Sequence, residues 1–136
     1  MDSQGRFGLA SPGPLRDRLV SAVLAGEKIA TSSLLAQYED DGEPLPTPGQ
    51  RWVMVDSAGE GVAVVETLEV SVIRLGEADE RLARDEGERF RSVTEWREAH
   101  DGFWRQDVLP ALRQPLVLDD ETEVVVERFR VVGEPT

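Results

Sequence analysis

The chain has 136 residues, of which 40% are hydrophobic, and it contains no cysteine. That length suits one globular domain with a buried core, and the lack of cysteine excludes a disulfide framework, a thiolate nucleophile and cysteine-based zinc sites. With 27 acidic and 15 basic residues the formal net charge is −12, so we expect no binding to long duplex nucleic acid. No segment has the apolar length of a signal peptide or a membrane span, so we expect a cytoplasmic protein that does not bind membranes.

The two ends of the chain differ from the middle in composition. Residues 1–13 hold three glycines and one proline among few apolar residues, which predicts a flexible N-terminal arm. Apolar residues then recur at helical spacing and predict a helix over residues 14–25, which Gly26 ends. Residues 133–136 are predicted to be a frayed tail.

Lysine occurs once in the chain, at Lys28, among fourteen arginines. Unlike arginine, lysine carries a charge that burial can remove, so it can act as a base or a nucleophile; the alternative is an ordinary exposed residue. Three hydroxyls follow it, those of Thr31, Ser32 and Ser33, just before a short helix predicted over residues 34–38. Ser32 or Ser33 is predicted to cap that helix, and free N–H groups beside a lysine suit a carbonyl oxygen or a phosphate.

Three stretches rich in β-formers follow, over residues 51–56, 62–75 and 123–132. Over residues 62–72, Glu66 is the only charge on one face of the second stretch, and Glu127 lies within an apolar series in the third. A buried unpaired carboxylate is costly, so we expect each to be paired, protonated or facing a cleft. The alternation leaves open which face of the second strand is buried.

A charged helical segment over residues 77–85 precedes Glu86-Gly87-Glu88, which is either a solvated run of charges or a tight turn with two carboxylates close together. Ser92, with a glutamate three residues later, matches a capping box at the start of a helix. Trp96 and His100 lie on the apolar side of that helix. Because His100 is the only histidine, it excludes a site with several histidine ligands and is either a packed core residue or part of a ligand site.

The stretch GEKIATSSLL, followed in order by DDGEPLPTPGQ, ARDEGERFRSVTEWREAHDGFW and VVVERFRVV, resembles the ASCH domain family. The resemblance covers about residues 14–132, which we predict to be a single domain. It implies a mixed α/β fold, mainly β, with a small PUA-like β-barrel and flanking helices. It also implies that the ligand is RNA or a nucleoside.

Some ASCH proteins that resemble this chain are amidohydrolases that remove the acetyl group of N4-acetylcytidine. Their motif runs Gly-x-Lys-x-x-Thr-x-Arg, and Lys28 and Thr31 match it, whereas Ser33 stands where those enzymes carry arginine. Their glutamate falls in a segment like the one that contains Glu86. The resemblance therefore implies Thr31 as nucleophile, Lys28 as its base, and Glu86 tuning Lys28 and assisting the leaving amine.

Three functional hypotheses follow from these residues and this resemblance. The first is a module that binds a nucleoside or short single-stranded RNA in a cleft beside Lys28. The second is a hydrolase, either that deacylase or a ribonuclease whose carboxylates, such as Glu66, Glu86 and Glu88, hold Mg²⁺ or Mn²⁺. The third is an acidic protein-interaction domain without a nucleic-acid ligand.

The predicted cleft lies between residues 28–33, Glu86 and the start of the Ser92 helix. No cofactor is certain from the sequence, and the oligomeric state stays open. The tryptophans are candidates for stacking against bases. The residues predicted to contact the ligand are Ser32, Ser33, Glu66, Trp96, His100 and Arg128.

Overall fold

A computed structural model describes residues 5–7, 9–10 and 12–134 of the chain. The strands are β1 (Gly5–Phe7), β2 (Ala30–Leu34), β3 (Arg51–Val55), β4 (Gly61–Arg74) and β5 (Glu123–Gly133). The α-helices are α1 (Pro14–Leu24), α2 (Leu35–Asp41), α3 (Glu80–Asp85) and α4 (Val93–Phe103). None of the helices in this part of the chain is long and apolar enough to cross a membrane.

The five strands form one sheet in the order β1-β3-β4-β5-β2. β1 runs parallel to β3, and the other neighbouring strands are antiparallel. The antiparallel strands curl into a half barrel. Register shifts in the β4–β5 pair mark bulges, which bend a strand and increase its twist. The sheet with its helices agrees with the predicted mixed α/β fold.

The first strand lies inside the segment predicted to be a flexible arm over residues 1–13. Residues 5–7 pair with Trp52, Val53 and Met54 of β3, and Leu9 is buried. Pairing along a sheet edge supplies order that the composition of the segment does not indicate. Of the predicted tail over 133–136, Gly133 is the last residue of β5, and residues 135–136 lie outside the described residues.

The sheet carries an apolar cluster on each face of β5. Val124 and Val126 face α3 and α4 and pack with their apolar residues, whereas Phe129 faces the opposite way and packs with α1. Alternation along β5 accounts for this division, because side chains of successive residues point to opposite faces. The first cluster contains Ala30, Leu34, Leu75, Leu82, Ala83, Trp96, Trp104, Val108 and Leu118 besides the two valines.

The prediction that Ser32 or Ser33 caps a helix is wrong. Both residues lie within β2, which pairs with β5 over its whole length. The helix that follows starts one residue after Leu34, whose N–H donates to the Gln37 side chain at 2.9 Å. The long-range pairing with β5 takes the backbone groups that a capped loop would have left for the helix.

Several local predictions are confirmed by the structure. α1 ends at Leu24, and Gly26 has a φ of 78°, the left-handed conformation that favours glycine after a helix. Ser92 caps α4 by accepting a hydrogen bond from the Glu95 N–H at 3.2 Å. α4 then continues as a π-helical segment over Trp104–Val108 and a 3₁₀ turn over Leu109–Ala111.

Candidate functional site

Two backbone segments meet to place Lys28. The segment that leaves α1 runs beside the turn after α3, and the Ile29 N–H donates to the Asp85 carbonyl oxygen at 2.8 Å. Gly87 has a φ of 64°, and a Cβ atom there would lie 2.1 Å from the Glu27 carbonyl oxygen. Only glycine fits both the left-handed conformation and the close backbone approach. The junction therefore fixes Lys28 against the turn of residues 86–88.

The Lys28 ammonium is buried and has three hydrogen-bond acceptors. Its Nζ donates to the Glu86 carbonyl oxygen at 3.2 Å, to Glu86 Oε1 at 3.4 Å and to Glu88 Oε2 at 3.1 Å. The side chain is 1% exposed. Since an ammonium has three N–H donors, all of them are used. Lys28 is thus not the ordinary exposed residue that the composition of the chain alone allows.

The Glu86 carboxylate receives four donors and is as buried as the lysine. Its Oε2 accepts from the Ser32 hydroxyl and from Trp96 Nε1 at 2.9 Å, and its Oε1 accepts from Lys28 and from His100 Nε2 at 3.2 Å. Burial by itself would raise the pKa of Glu86. The His100 hydrogen bond, the Lys28 charge and the Ser32 hydroxyl outweigh burial and lower that pKa to about 2. Glu86 is therefore a fixed negative charge.

His100 is held between an aromatic ring and two acceptors. Its ring stacks on Trp96 with centroids 4.2 Å apart, and its Nδ1 lies 2.9 Å from the Trp96 carbonyl oxygen. A carbonyl and an ionised Glu86 accept only, so both ring nitrogens donate and the ring is an imidazolium. Burial lowers the pKa of His100, but the hydrogen bond to Glu86 and its charge raise it above the ordinary value.

These four groups form a charge-balanced cluster, which we call the Lys28 cluster: Lys28, Glu86, Glu88 and His100. Two positive and two negative charges offset one another, which is how so many charges are tolerated below the surface. Exposure divides the members, because Glu86 is 1% exposed whereas the Glu88 side chain is 24% exposed. Glu88 is therefore the most exposed member of the cluster.

The same cluster contains the atoms that would be offered to a metal ion. One ligand atom from each of Glu86, Glu88 and His100 lies within 4.8 Å of the others. The Lys28 ammonium contacts both carboxylates, and a protonated His100 has no lone pair to donate. As arranged, these residues do not fit a divalent cation, because the lysine already supplies the positive charge.

A family model described as the ASCH domain matches residues 7–133. The chain belongs to the ASCH domain family. Its structure is similar to that of a protein from Enterococcus faecalis, with a TM-score of 0.82 and 28% identity over 98% of this chain and 78% of that chain. It is also similar to an ASCH domain from Lactobacillus crispatus, with a TM-score of 0.82 and 26% identity over 97% of this chain and 81% of that chain. No curated protein sequence matches the chain significantly.

The family membership and the two structures confirm the predicted fold of this ASCH domain, a PUA-like architecture with a curled sheet and flanking helices. Of the three predicted catalytic residues, the structure brings Lys28 and Glu86 together. Thr31 pairs with Glu127 on β5, and its side chain points to the face of β2 opposite Ser32. Within the described ranges, no hydrogen bond joins Thr31 to Lys28 or Glu86.

The predicted ligand-binding residues of this ASCH domain divide in the same way. Ser32, Trp96 and His100 all contact Glu86, but Trp96 is fully buried and has no free face for a base. Ser33 lies on the other face of β2, within hydrogen-bonding reach of Tyr38.

Two further predicted ligand residues are occupied by ion pairs instead. Glu66 accepts from Arg130 at 3.0 Å. Arg128 donates to Asp85 at 3.0 Å and to Glu69 at 3.4 Å, which ties β5 to the end of α3. Glu66 is therefore paired, one of the outcomes expected for it, and among the described residues it forms no hydrogen bond with the Lys28 cluster.

A second buried carboxyl group lies on the opposite face of the sheet from the Lys28 cluster. Glu127 is 5% exposed and accepts from the Thr67 hydroxyl at 2.7 Å, which in turn accepts from Trp52 Nε1 at 3.1 Å. Burial raises the pKa of Glu127, and the Thr67 hydrogen bond offsets only part of that effect. Burial and the Glu127 charge also raise the pKa of Tyr38. Glu127 thus faces the interior.

The sequence did not single out the residues around a cavity of about 350 Å³ beside the cluster. The cavity is lined by Glu27, Ala83, Arg84, Gly87, Arg89 and Phe90. The Phe90 ring lies 6.0 Å from that of His100, so the cavity adjoins the Lys28 cluster. The turn glycine, Gly87, is the one sequence signal that pointed to this place.

Proposed function

We propose that this ASCH domain binds a nucleoside or a short single-stranded RNA in the cleft beside Lys28, with an oxygen of the ligand taking the place of the Glu88 carboxylate. The observation that carries the proposal is that Glu88 is the partly exposed partner of an otherwise buried ammonium. The ASCH family is generally thought to bind RNA, which supports this ligand class.

The exchange is favourable because it leaves the rest of the cluster intact. Lys28 keeps both contacts with Glu86, which its other donors hold in place, and only the Glu88 contact is given up. A carbonyl or phosphate oxygen accepts from an ammonium as a carboxylate does. The released Glu88 carboxylate moves towards water, where a charge is well solvated.

The geometry favours binding over hydrolysis. A base must accept a proton, and Glu86, with a pKa of about 2 and four donors, is a poor acceptor near neutral pH. The three N–H groups of Lys28 are all engaged. The Ser32 hydroxyl donates to Glu86 rather than to a base, and Thr31 points to the other face of β2.

Fluorescence anisotropy with a labelled single-stranded RNA of about eight nucleotides tests this proposal. We expect wild type to bind, Lys28→Met to lose at least about tenfold in affinity, and Glu88→Gln to gain several-fold, because a neutral amide competes less well for the ammonium. Glu60→Gln, in the turn between β3 and β4, is the matched control for the change in net charge, and it is expected to bind like wild type. Thermal unfolding of each variant verifies that it is folded.

Two results would contradict the proposal. One is that Glu88→Gln binds no more tightly than Glu60→Gln, which would mean that Glu88 does not compete with the ligand. The other is turnover: mass spectrometry of an RNA carrying one N4-acetylcytidine, incubated with and without Mn²⁺, is expected to show no mass change. Loss of acetyl or backbone cleavage by wild type, absent in Lys28→Met, would establish a hydrolase instead.

A further inference from the structure

The cavity beside the Lys28 cluster has a cationic rim on an acidic protein. Arg84 and Arg89 line it, with Ala83 and Phe90 as its apolar part. Its volume of about 350 Å³ falls in the range of small-ligand sites. Gly87, which lies between Glu86 and Glu88 in the chain, also lines it, so the cavity lies next to the turn that carries both carboxylate partners of Lys28.

Over the ranges that the structure describes, Arg84 and Arg89 have no carboxylate partner; other arginines, such as Arg18 and Arg113, also have none, but Arg84 and Arg89 line one cavity. Among the residues whose side chains are described, six arginines form ion pairs with acids, namely Arg74, Arg81, Arg91, Arg97, Arg128 and Arg130. Across the described part of the chain, Arg84 and Arg89 form neither an ion pair nor a side-chain hydrogen bond. The chain has 27 acidic residues, yet neither guanidinium group at this cavity pairs with one of them. The arrangement indicates a binding site for an anion from outside the chain.

The backbone at Arg89 is the second observation. Arg89 has a φ of 64°, a conformation that glycine adopts freely and that costs other residues about 1 kcal/mol or more. Such strain is retained where the side chain is needed at that position. Nothing in the packing of Arg89 supplies the need, because its side chain is exposed and unpaired among the described residues. A ligand that contacts the guanidinium group gives a reason for an arginine at this strained position.

We infer that Arg84 and Arg89 form a phosphate-binding site at the mouth of the Lys28 cleft, so that the ligand is a nucleotide or a phosphodiester rather than an uncharged nucleoside. One guanidinium group can donate two parallel hydrogen bonds to two phosphate oxygens, whereas a lysine ammonium acts as a point charge. Of the described residues, Glu27 is the one carboxylate that lines the cavity, and its charge weakens the site by opposing the anion. This inference rests on the proposed function and names the group recognised there.

Binding measured as a function of salt tests the inference with the same single-stranded RNA. For Arg84→Gln/Arg89→Gly we expect affinity to fall at least about tenfold at low salt. We also expect the slope of log K against log salt to shrink by about 1.4, since each phosphate contact on a single strand contributes about 0.7. Glycine at position 89 also relieves the backbone strain, so this variant is expected to stay folded. Glu27→Gln is expected to bind more tightly than wild type.

Arg18→Gln/Arg113→Gln is the matched control, because both arginines are exposed and lie on other segments. A second pair of probes, cytidine and cytidine monophosphate, is compared by calorimetry. The monophosphate is expected to bind more tightly than cytidine to wild type, and no more tightly than cytidine to Arg84→Gln/Arg89→Gly.

If Arg84→Gln/Arg89→Gly matches the control pair in affinity and slope while Lys28→Met still loses the RNA, the phosphate site is wrong and the binding function stands. If wild type binds neither RNA nor the monophosphate, both are wrong. If only the monophosphate binds, and through the arginines, the phosphate site stands without the RNA function.

Discussion

At the scale of single residues, His100 is the group whose charge completes the Lys28 cluster. Without its proton, Lys28 would face Glu86 and Glu88 with one positive charge against two negative ones. The hydrogen bonds of both ring nitrogens to acceptors also require the protonated form. The stability of the cluster is therefore linked to the titration of one histidine.

The titration of His100 has a definite direction. Its folded pKa is raised above that of the unfolded chain, so the stability it contributes is complete below about pH 6.5 and is lost as the pH rises through the folded value. We expect the urea midpoint of wild type to fall over that interval, and that of His100→Gln to fall less. Because the chain has one histidine, its ring-proton NMR signal in tag-free protein gives the pKa directly. A midpoint at or below about 6.5 would contradict the imidazolium assignment.

Glu127 gives a prediction of the opposite sign. Burial raises its folded pKa, so ionisation of this carboxyl destabilises the folded protein as the pH rises above that of the unfolded glutamate. Glu127→Gln keeps an oxygen for the Thr67 hydroxyl and removes the buried charge. We expect this variant to have a higher urea midpoint than wild type at about pH 8 and an equal one at about pH 4. A lower urea midpoint for Glu127→Gln than for wild type at about pH 8 would contradict this prediction, because it would mean that a favourable partner stabilises the ionised carboxylate.

At the scale of elements, the site depends on the turn between α3 and α4 more than on either helix. The turn carries Glu86 and Glu88, and it has left-handed residues at Gly87 and Arg89. It is pressed against the segment after α1, so the placement of Lys28 and of its acceptors is decided by one backbone contact.

Gly87→Ala tests that contact, with Gly42→Ala as a matched control. The two glycines have nearly equal φ values, 64° and 66°, but a Cβ at Gly42 meets nothing within 4 Å. We expect Gly42→Ala to cost about 1 kcal/mol of unfolding free energy from the backbone conformation alone. Gly87→Ala is expected to cost roughly 3 kcal/mol or more, because the segment after α1 must move as well. Equal costs in urea unfolding would show that the two segments separate easily.

Elements with local signals were predictable from the sequence. The helix that Gly26 ends, the Ser92 cap and the turn at Gly87 each rest on residues a few positions apart, whose physics acts within one turn of chain. Within the site, the sequence singled out Lys28, and the family resemblance added Glu86. Ser32, Trp96 and His100 were also predicted, and they contact Glu86. Neither spacing nor composition relates Lys28 to Glu88, 60 positions apart, or Glu86 to His100.

Long-range pairing explains the predictions that failed. The sequence predicts that Ser32 or Ser33 caps a helix, and only the pairing with β5 shows that both residues lie in a strand. Glu66 was expected to be paired, protonated or facing a cleft, and it pairs with Arg130; the bulges in β4, between Val64 and Val65 and between Thr67 and Glu69, break the alternation that left its face open. One extra residue turns every later side chain to the other face, and no local signal marks it.

At the scale of the whole molecule, the net charge of −12 opposes the cationic rim formed by Arg84 and Arg89. The two act over different distances. The arginines act at contact, whereas the net charge acts through solvent over the Debye length, which is about 8 Å at physiological salt and about 30 Å at about 10 mM salt. A short ligand experiences mainly the first effect, and a long polyanion experiences both.

The length of the RNA therefore sets how binding responds to salt. We expect a strand of about eight nucleotides to bind more tightly as salt is lowered, because two phosphate contacts release counterions. A strand of about forty nucleotides is expected to gain less per site, and a duplex of the same sequence to bind at least about tenfold more weakly, since their distant phosphates meet the acidic surface. Competition anisotropy at about 150 mM and about 10 mM salt measures these differences. A larger gain for the long strand or the duplex at low salt would reveal a basic track along the surface, and the ligand would then be long RNA rather than a short piece held in one cleft.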